Sequence, residues 1–234
     1  MESVQDIKKR LLEIKSQGYV QTHRAHDTGI GKTLEDLLGI KENNIALPDI
    51  GEIELKSKRL ESGSMLTIAT KAPKPRGTNR KLYNNYKYVD EDGDYCLHTT
   101  SYGSKCNNLS FQLILTGDKI ILDNIKKVEA YWPLSVFDDV LKSKSNRILL
   151  VLAETKGERA KANEQFHYTE AYLLTGLDMD RFKVAIATDK LKVDTRIGVY
   201  KSGRSVGKYH DHGTGFRINK KDYLYLFDTY EQLI

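Results

Sequence analysis

The longest uninterrupted apolar run in this 234-residue chain is ILLVLA, at positions 148–153, and it constrains the fold more than any other stretch. It is far too short to cross a bilayer, which takes about 20 residues as a helix. A continuous rather than alternating apolar run is also what a strand shows when both its faces are covered. NRILLVLAET is therefore read as a buried strand, and the chain needs elements to cover it. One is a helix: Val4, Ile7, Leu11 and Ile14 recur at spacings of 3, 4 and 3, with Gly18 as the stop. A second short helix is expected over Thr33–Leu38, with Leu34, Leu37 and Leu38 inward and Gly39 at its end.

From Met65 to Asp123 the pattern is β-rich. SMLTIAT, YKYVD, YCLHTTSYG, LSFQLILTG and DKIILD are β-branched or aromatic runs, and DEDGD and TGDK punctuate them like hairpin turns. PLSVFDDVLKSK predicts a helix, with Ser135 and Asp138 in capping positions and Phe137, Val140 and Leu141 as its apolar face. Beyond the buried strand, a helix is expected through ANEQFHYTEAYLLTGL, then strands at FKVAIAT, KVDTRIGVYKS and YLYLFD. No internal repeat or low-complexity linker is present. The class is α/β or α+β with a mixed sheet.

Only two cysteines occur, Cys96 and Cys106, too few for a cysteine-rich zinc site, so a reduced, cytoplasmic protein is expected. The net charge of +5 is compatible with a nucleic-acid partner, and its distribution says more. Between Lys56 and Lys81 the only acid is Glu61, and KAPKPRGTNRK reads as an exposed basic loop suited to a phosphate backbone, with Lys74 and Arg76 its candidate contacts. A merely solvated loop is the alternative.

In GEIELKSK, alternation puts Ile53 and Leu55 on a core face and Glu52, Glu54 and Lys56 on a charged one. A bend at Gly51 would swing Asp49 round to Glu54 and Lys56. Hard Mg²⁺ takes one or two carboxylates with water and substrate phosphate, and a lysine beside them can orient a water for attack on phosphorus. This is a nuclease-like arrangement, although a second Glu-x-Lys stands at Glu154-Thr155-Lys156 without a Pro-Asp upstream. TGIGKT imitates the end of a phosphate-binding loop, but His26 stands where the first glycine must be, so no nucleotide cofactor is expected. His210 and His212 would share a strand face, yet no third and fourth zinc ligand lies near, so base or phosphate contacts are preferred for them.

Taken together and in order, TGIGKTLEDLLGI, PDIGEIELKSKR, FHYTEAYLLTG, KVDTRIGVY and HGTGFRI resemble the MvaI/BcnI type of restriction endonuclease, related to the MutH nicking enzyme. The pieces run from residue 28 to 218. The resemblance implies a restriction-endonuclease-like α/β fold, a mixed central sheet flanked by helices, with catalytic and DNA-recognition lobes around a DNA cleft. It implies a catalytic set of Glu35, Asp49, Glu54 and Lys56, with Asp36 and Glu52 as neighbours that spacing does not fully exclude. Mg²⁺, with Mn²⁺ as a substitute, would be held by Asp49, Glu54 and the Leu55 carbonyl.

KVDTRIGVY adds a reading of its own, because alternation puts Asp194, Arg196, Gly198 and Tyr200 on one face. An aspartate can accept from cytosine N4 and an arginine can fork to guanine, though a surface Asp–Arg ion pair is the alternative. With the resemblance, Asp194, Arg196 and Arg217 become expected base readers, and Tyr200, His210 and His212 candidates for the centre of the site. Asp211 has no assignment. Residues 1–130 are expected to form mainly the catalytic lobe and 131–234 mainly the recognition lobe, the two interwoven.

The expected function is a Type II restriction endonuclease that hydrolyses double-stranded DNA at a CCNGG-type site. As a monomer it would nick one strand at a time, and a cognate DNA methyltransferase would be a functional counterpart rather than a bound partner. The alternatives are a MutH-like repair nickase and a non-catalytic sequence-specific DNA-binding protein.

Overall fold

The computed structural model describes residues 3–40, 50, 52–141, 146–201 and 203–234. Helix α1 (Val4–Ser16) leads through β1 (Val20–Gln21) and α2 (Gly29–Leu37) to β2 (Glu54–Arg59) and β3 (Leu66–Thr70). Helix α3 (Thr78–Tyr86) precedes β4 (Tyr88–Val89), β5 (Tyr95–Ser101), β6 (Gln112–Leu115), β7 (Lys119–Asp123) and β8 (Tyr131–Pro133). Then come β9 (Arg147–Lys156), β10 (Gln165–Thr175), α4 (Met179–Ala187), β11 (Leu191–Val199), β12 (Tyr209–Ile218), α5 (Tyr223–Leu226) and β13 (Thr229–Gln232). No helix among the described residues is long and apolar enough to cross a membrane.

The chain forms two compact units, each built from separate segments. Unit 1 takes residues 1–64, 141–177 and 227–234, and unit 2 takes 65–140 and 178–226. Residue 130, the expected division, lies inside unit 2.

Unit 1 is a mixed sheet in the order β1-β10-β9-β2, with β13 also on β10. Among the described residues of this sheet only the β2–β9 pair is parallel, from Glu54 opposite Ile148 to Arg59 opposite Ala153. The apolar run of β9 is buried throughout, as a strand covered on both faces must be. Helix α1 covers the sheet with Ile7, Leu11 and Ile14, and it starts where sequence physics places it. Ser3 accepts from the Asp6 amide while Asp6 accepts from the Ser3 amide, a reciprocal cap that satisfies two donors the helix cannot. Ile30 and Leu34 of α2 join Ile53, Leu55, Val151 and Phe166 in the same core.

Unit 2 holds an antiparallel sheet, β3-β12-β11-β5-β4, and a smaller one, β6-β7-β8. An aromatic cluster of Trp132, Phe137, Phe182 and Phe216, with ring centroids 4.7–5.8 Å apart, fills its core. DEDGD closes the β4–β5 hairpin, and Thr116 to Lys119 closes β6–β7.

Five expectations change. ANEQFHYTEAYLLTGL is not helical: its centre is β10, where Phe166 and Tyr168 alternate and a bulge before Glu170 resets the phase for Ala171 and Leu173. That bulge creates the three-residue step that mimics a helix. FKVAIAT is helix α4 rather than a strand, capped by Asp178, which accepts from the Arg181 amide, with Phe182, Ala185 and Ile186 buried and Val184 exposed. YLYLFD is a helical turn, α5, with Tyr223 and Leu226 buried three apart. The basic loop ends at Gly77, whose φ of 88° precedes α3, so Thr78 to Lys81 belong to a helix. PLSVFDDVLKSK opens as a 3-10 turn, Leu134–Phe137, with Phe137 and Leu141 buried.

Candidate active site

Strand β2 begins at Glu54, just after Ile53, which exchanges both backbone hydrogen bonds with Ile50 (3.0 and 2.8 Å). Glu54, on the charged face that alternation gave it, is only 8% exposed. Its Oε1 accepts from Lys56 Nζ at 2.6 Å, two residues along on the same face, and Lys56 stays half-exposed. A carboxylate taken out of water needs a cation against it, and this lysine supplies one while leaving its head reachable from outside.

Asp49 lies outside the described residues, so the bend expected at Gly51 is not described either. Of the neighbours that could be confused with catalytic groups, Glu52 is 71% exposed on its side chain and 3.9 Å from Arg147. Asp36 is held by Lys32 at 2.8 Å and by His23 Nδ1 at 2.9 Å, and these two bonds, Lys32 first, draw its carboxyl below the usual range. Glu35 is half-buried on α2, a helix that packs against β2. The donors available are carboxylate and carbonyl oxygens, the kind Mg²⁺ prefers, although among the described residues no group of three or more His, Cys, Asp and Glu could hold a metal ion.

The second Glu-x-Lys has other work. Glu154 is exposed and accepts from Tyr19 Oη at 3.0 Å, and Lys156 Nζ sits 3.9 Å from the centre of the Tyr19 ring. Sequence reasoning missed the group that fixes the far end of β2. Glu164, 1% exposed, accepts from Arg59 Nε at 2.7 Å and Nη2 at 2.8 Å, and also from the Ala160 amide at 2.8 Å. Burial pushes the Glu164 carboxyl up, but the Arg59 bonds and the Ala160 amide outweigh it, so it ionises below the ordinary glutamate range. Nothing in the local sequence around Glu164 announces this, because its partner is contributed from more than a hundred residues earlier.

In unit 2, β11 shows the expected alternation: Val193, Thr195 and Ile197 are buried in the core, and Asp194 and Arg196 share the other face. Asp194 does form an ion pair, but with Arg217 of β12 rather than Arg196. Arg217 Nη1 donates to it at 2.7 Å and Thr100 Oγ1 at 2.6 Å, while Arg217 Nη2 donates to the Met65 carbonyl at 3.3 Å. Arg196 makes no side-chain hydrogen bond or ion pair among the described residues, and its Nε is buried with no acceptor. Burial and the neighbouring Arg217 charge both disfavour its cation, only partly offset by Asp194. A guanidinium held this way has donors to give to something else.

Beside it stand His98, which pairs with Arg196 across β5 and β11, and the expected trio Tyr200, His210 and His212. The Tyr200 and His210 rings are 4.1 Å apart, as are those of His210 and His212. Burial first, then the nearby His210, Arg196 and His98, hold the His212 ring below the usual histidine pKa. His98, Tyr200, His210 and His212 line a cavity of about 240 Å³ with Cys96 and Gly198. Lys201, at its rim, is bound by Asp92 at 2.6 Å, Asp94 at 3.2 Å and Asp90 at 3.4 Å. In the basic loop, Lys74 and Arg76 are exposed, and the Lys74 backbone pairs in both directions with Tyr131.

The model of the MvaI/BcnI restriction endonuclease family matches residues 8–227. A solved complex of restriction endonuclease MvaI with its cognate DNA is 33% identical, covers 100% of both chains and superposes with a TM-score of 0.86. The same enzyme solved in the absence of DNA is 33% identical, with 100% of this chain and 99% of that one covered and a TM-score of 0.55. No curated protein matches in sequence.

Proposed function

Since the chain belongs to the MvaI/BcnI restriction endonuclease family and is thus a site-specific endonuclease, we propose that it uses Mg²⁺ to hydrolyse double-stranded DNA at a CCNGG-type site. The observation that carries the chemistry is the buried Glu54 carboxylate with Lys56 Nζ at 2.6 Å at the start of strand β2. Glu54, Asp49 and the Leu55 carbonyl would hold the cation, with Glu35 in support. When bound, Mg²⁺ supplies Lewis-acid stabilisation of the charge that builds on the phosphate and on the leaving 3′ oxygen. Lys56 positions the attacking water, and Glu54 keeps that lysine aimed and charged.

Unit 2 carries recognition in this reading, and unit 1 carries the chemistry. Arg196 forks to guanine with the donors it does not spend on the protein, and the paired Asp194 and Arg217 read alongside it. Lys74 and Arg76 contact phosphates, and Tyr200, His210 and His212 face the central base pair. The enzyme acts as a monomer, so one catalytic set cuts one strand at a time.

Incubating the purified protein with unmethylated plasmid, in Mg²⁺ or EDTA, and sequencing every cut end tests this directly. Discrete ends sharing CC-any-GG, absent in EDTA, and a transient nicked circle at limiting enzyme are expected. Ends without a shared motif would remove the proposed site, and linear product without the nicked circle would remove the one-strand-at-a-time monomer.

A further inference from the structure

Strand β12 breaks strict alternation once, opposite Arg196. Thr214 pairs with Thr195 and Asp211 with Ile197, so His212 and Gly213 together oppose the single residue Arg196. Asp211 and Thr214 thereby reach the same side of the sheet although they are three apart, which an unbroken strand forbids. The side chains confirm the reset. Tyr209 packs against Tyr83 and under Arg80 of α3, whereas His210 packs against Tyr200 and meets His212 edge-on, on the Arg196 side.

A one-residue slip turns every side chain beyond it to the other face. Without the bulge, Tyr209 and Asp211 would join Arg196, and both histidines would turn away. A carboxylate would then sit where DNA is expected.

Three groups hold the bulge. Asn79, on the first turn of α3 and 6% exposed, donates from Nδ2 to Asp211 Oδ2 at 2.8 Å and to Thr214 Oγ1 at 3.2 Å, spanning the extra residue. Asp211 Oδ1 accepts the Gly213 amide at 2.8 Å. Gly213 has φ 86°, and a Cβ there would lie 2.8 Å from Thr70 Cγ2, so both conformation and space call for glycine.

We propose that Asn79 and Asp211 are positioning residues for base recognition: their hydrogen bonds fix the bulge at His212–Gly213, and the bulge selects which β12 side chains share the face of Arg196. The inference rests on the reading that this face meets bases. It gives Asp211 a role through its neighbours, not through DNA.

The test measures affinity, in Ca²⁺, for a duplex carrying the sequence found at the cut ends, for the same duplex with one base pair changed, and for a random duplex. Asn79→Asp sets two carboxylates against each other and is expected to lose about tenfold or more in discrimination while random-duplex affinity stays within about threefold. Adding Asp211→Asn restores one donor and one acceptor in swapped positions, and discrimination should return to within about threefold of the parent. Asp211→Asn alone keeps an acceptor for Gly213 while the Asn79 amide turns over to accept, so it too should stay within about threefold.

Unchanged discrimination in Asn79→Asp, or a swap that fails to restore it, overturns the proposal. So does loss of discrimination in Asp211→Asn, which decides the matter even where Asn79→Asp does not fold. Arg196→Ala separates the two layers. If it leaves discrimination intact, the reading of the face falls; if it collapses discrimination while Asn79→Asp does not, only the bulge inference falls.

Discussion

Strands β2 and β9 lie side by side in one sheet and both carry Glu-x-Lys, yet only one pair has the surroundings of a site. On β2 the glutamate is buried at the first residue of the strand and its own lysine neutralises it. On β9 the pair comes at the last residues, in the open, and Tyr19 takes up both members. The tripeptide is therefore not the signal. What distinguishes them is the strand end at which they stand, since burial makes the β2 pair interdependent, while water screens the β9 pair.

The sharpest way to break this contrast is Lys56→Ala, which should cut the single-turnover cleavage rate by about 10²–10⁴-fold while gel-shift binding in Ca²⁺ survives. Loss of binding as well would make the β2 pair merely structural. Next comes the anchor of β2. Glu164→Gln should lower stability by about 3 kcal/mol in urea melts at neutral pH, because it leaves Arg59 without its buried counter-charge.

The pH dependence of that loss has a definite sign. The folded Glu164 ionises below its unfolded range, so the pair's contribution is present above about pH 4.3 and disappears as pH falls through the lowered folded value. Parent and variant should converge in strong acid; a gap that persists there would point to packing instead.

Smaller effects follow. Lys74→Ala with Arg76→Ala should reduce the salt slope of DNA binding by about 2, and an unaltered slope would take the basic loop out of the interface. Glu154→Ala and Lys156→Ala should leave cleavage unchanged and stability within about 0.5 kcal/mol. Any large loss of cleavage there would erase the distinction between the strands.

The sequence made legible what local pattern controls: α1, the buried β9, the DEDGD hairpin and the Glu54–Lys56 pair. It failed where a bulge or a distant partner took over. A bulge made β10 look helical, and an aspartate cap with burial three and four residues apart made α4 out of a β-looking run. The same kind of irregularity hid Asn79 and Asp211, which meet across more than 130 positions. The Asp194–Arg217 pair shows a subtler gap. Alternation placed Asp194 and Arg196 on one face, but not which cation would reach the carboxylate first.

The parallel pairing of β2 with β9 joins stretches of chain that are made far apart in time. Residues 54–59 leave the ribosome long before 147–156, their ladder partner, and β10 and the closing strand β13 come later still. A chain interrupted between residues 60 and 146 carries the whole Glu54–Lys56 stretch without β9, its neighbour in the sheet. The stretch that carries Glu54 and Lys56 therefore gains its ladder partner only when more than half of the chain has been made.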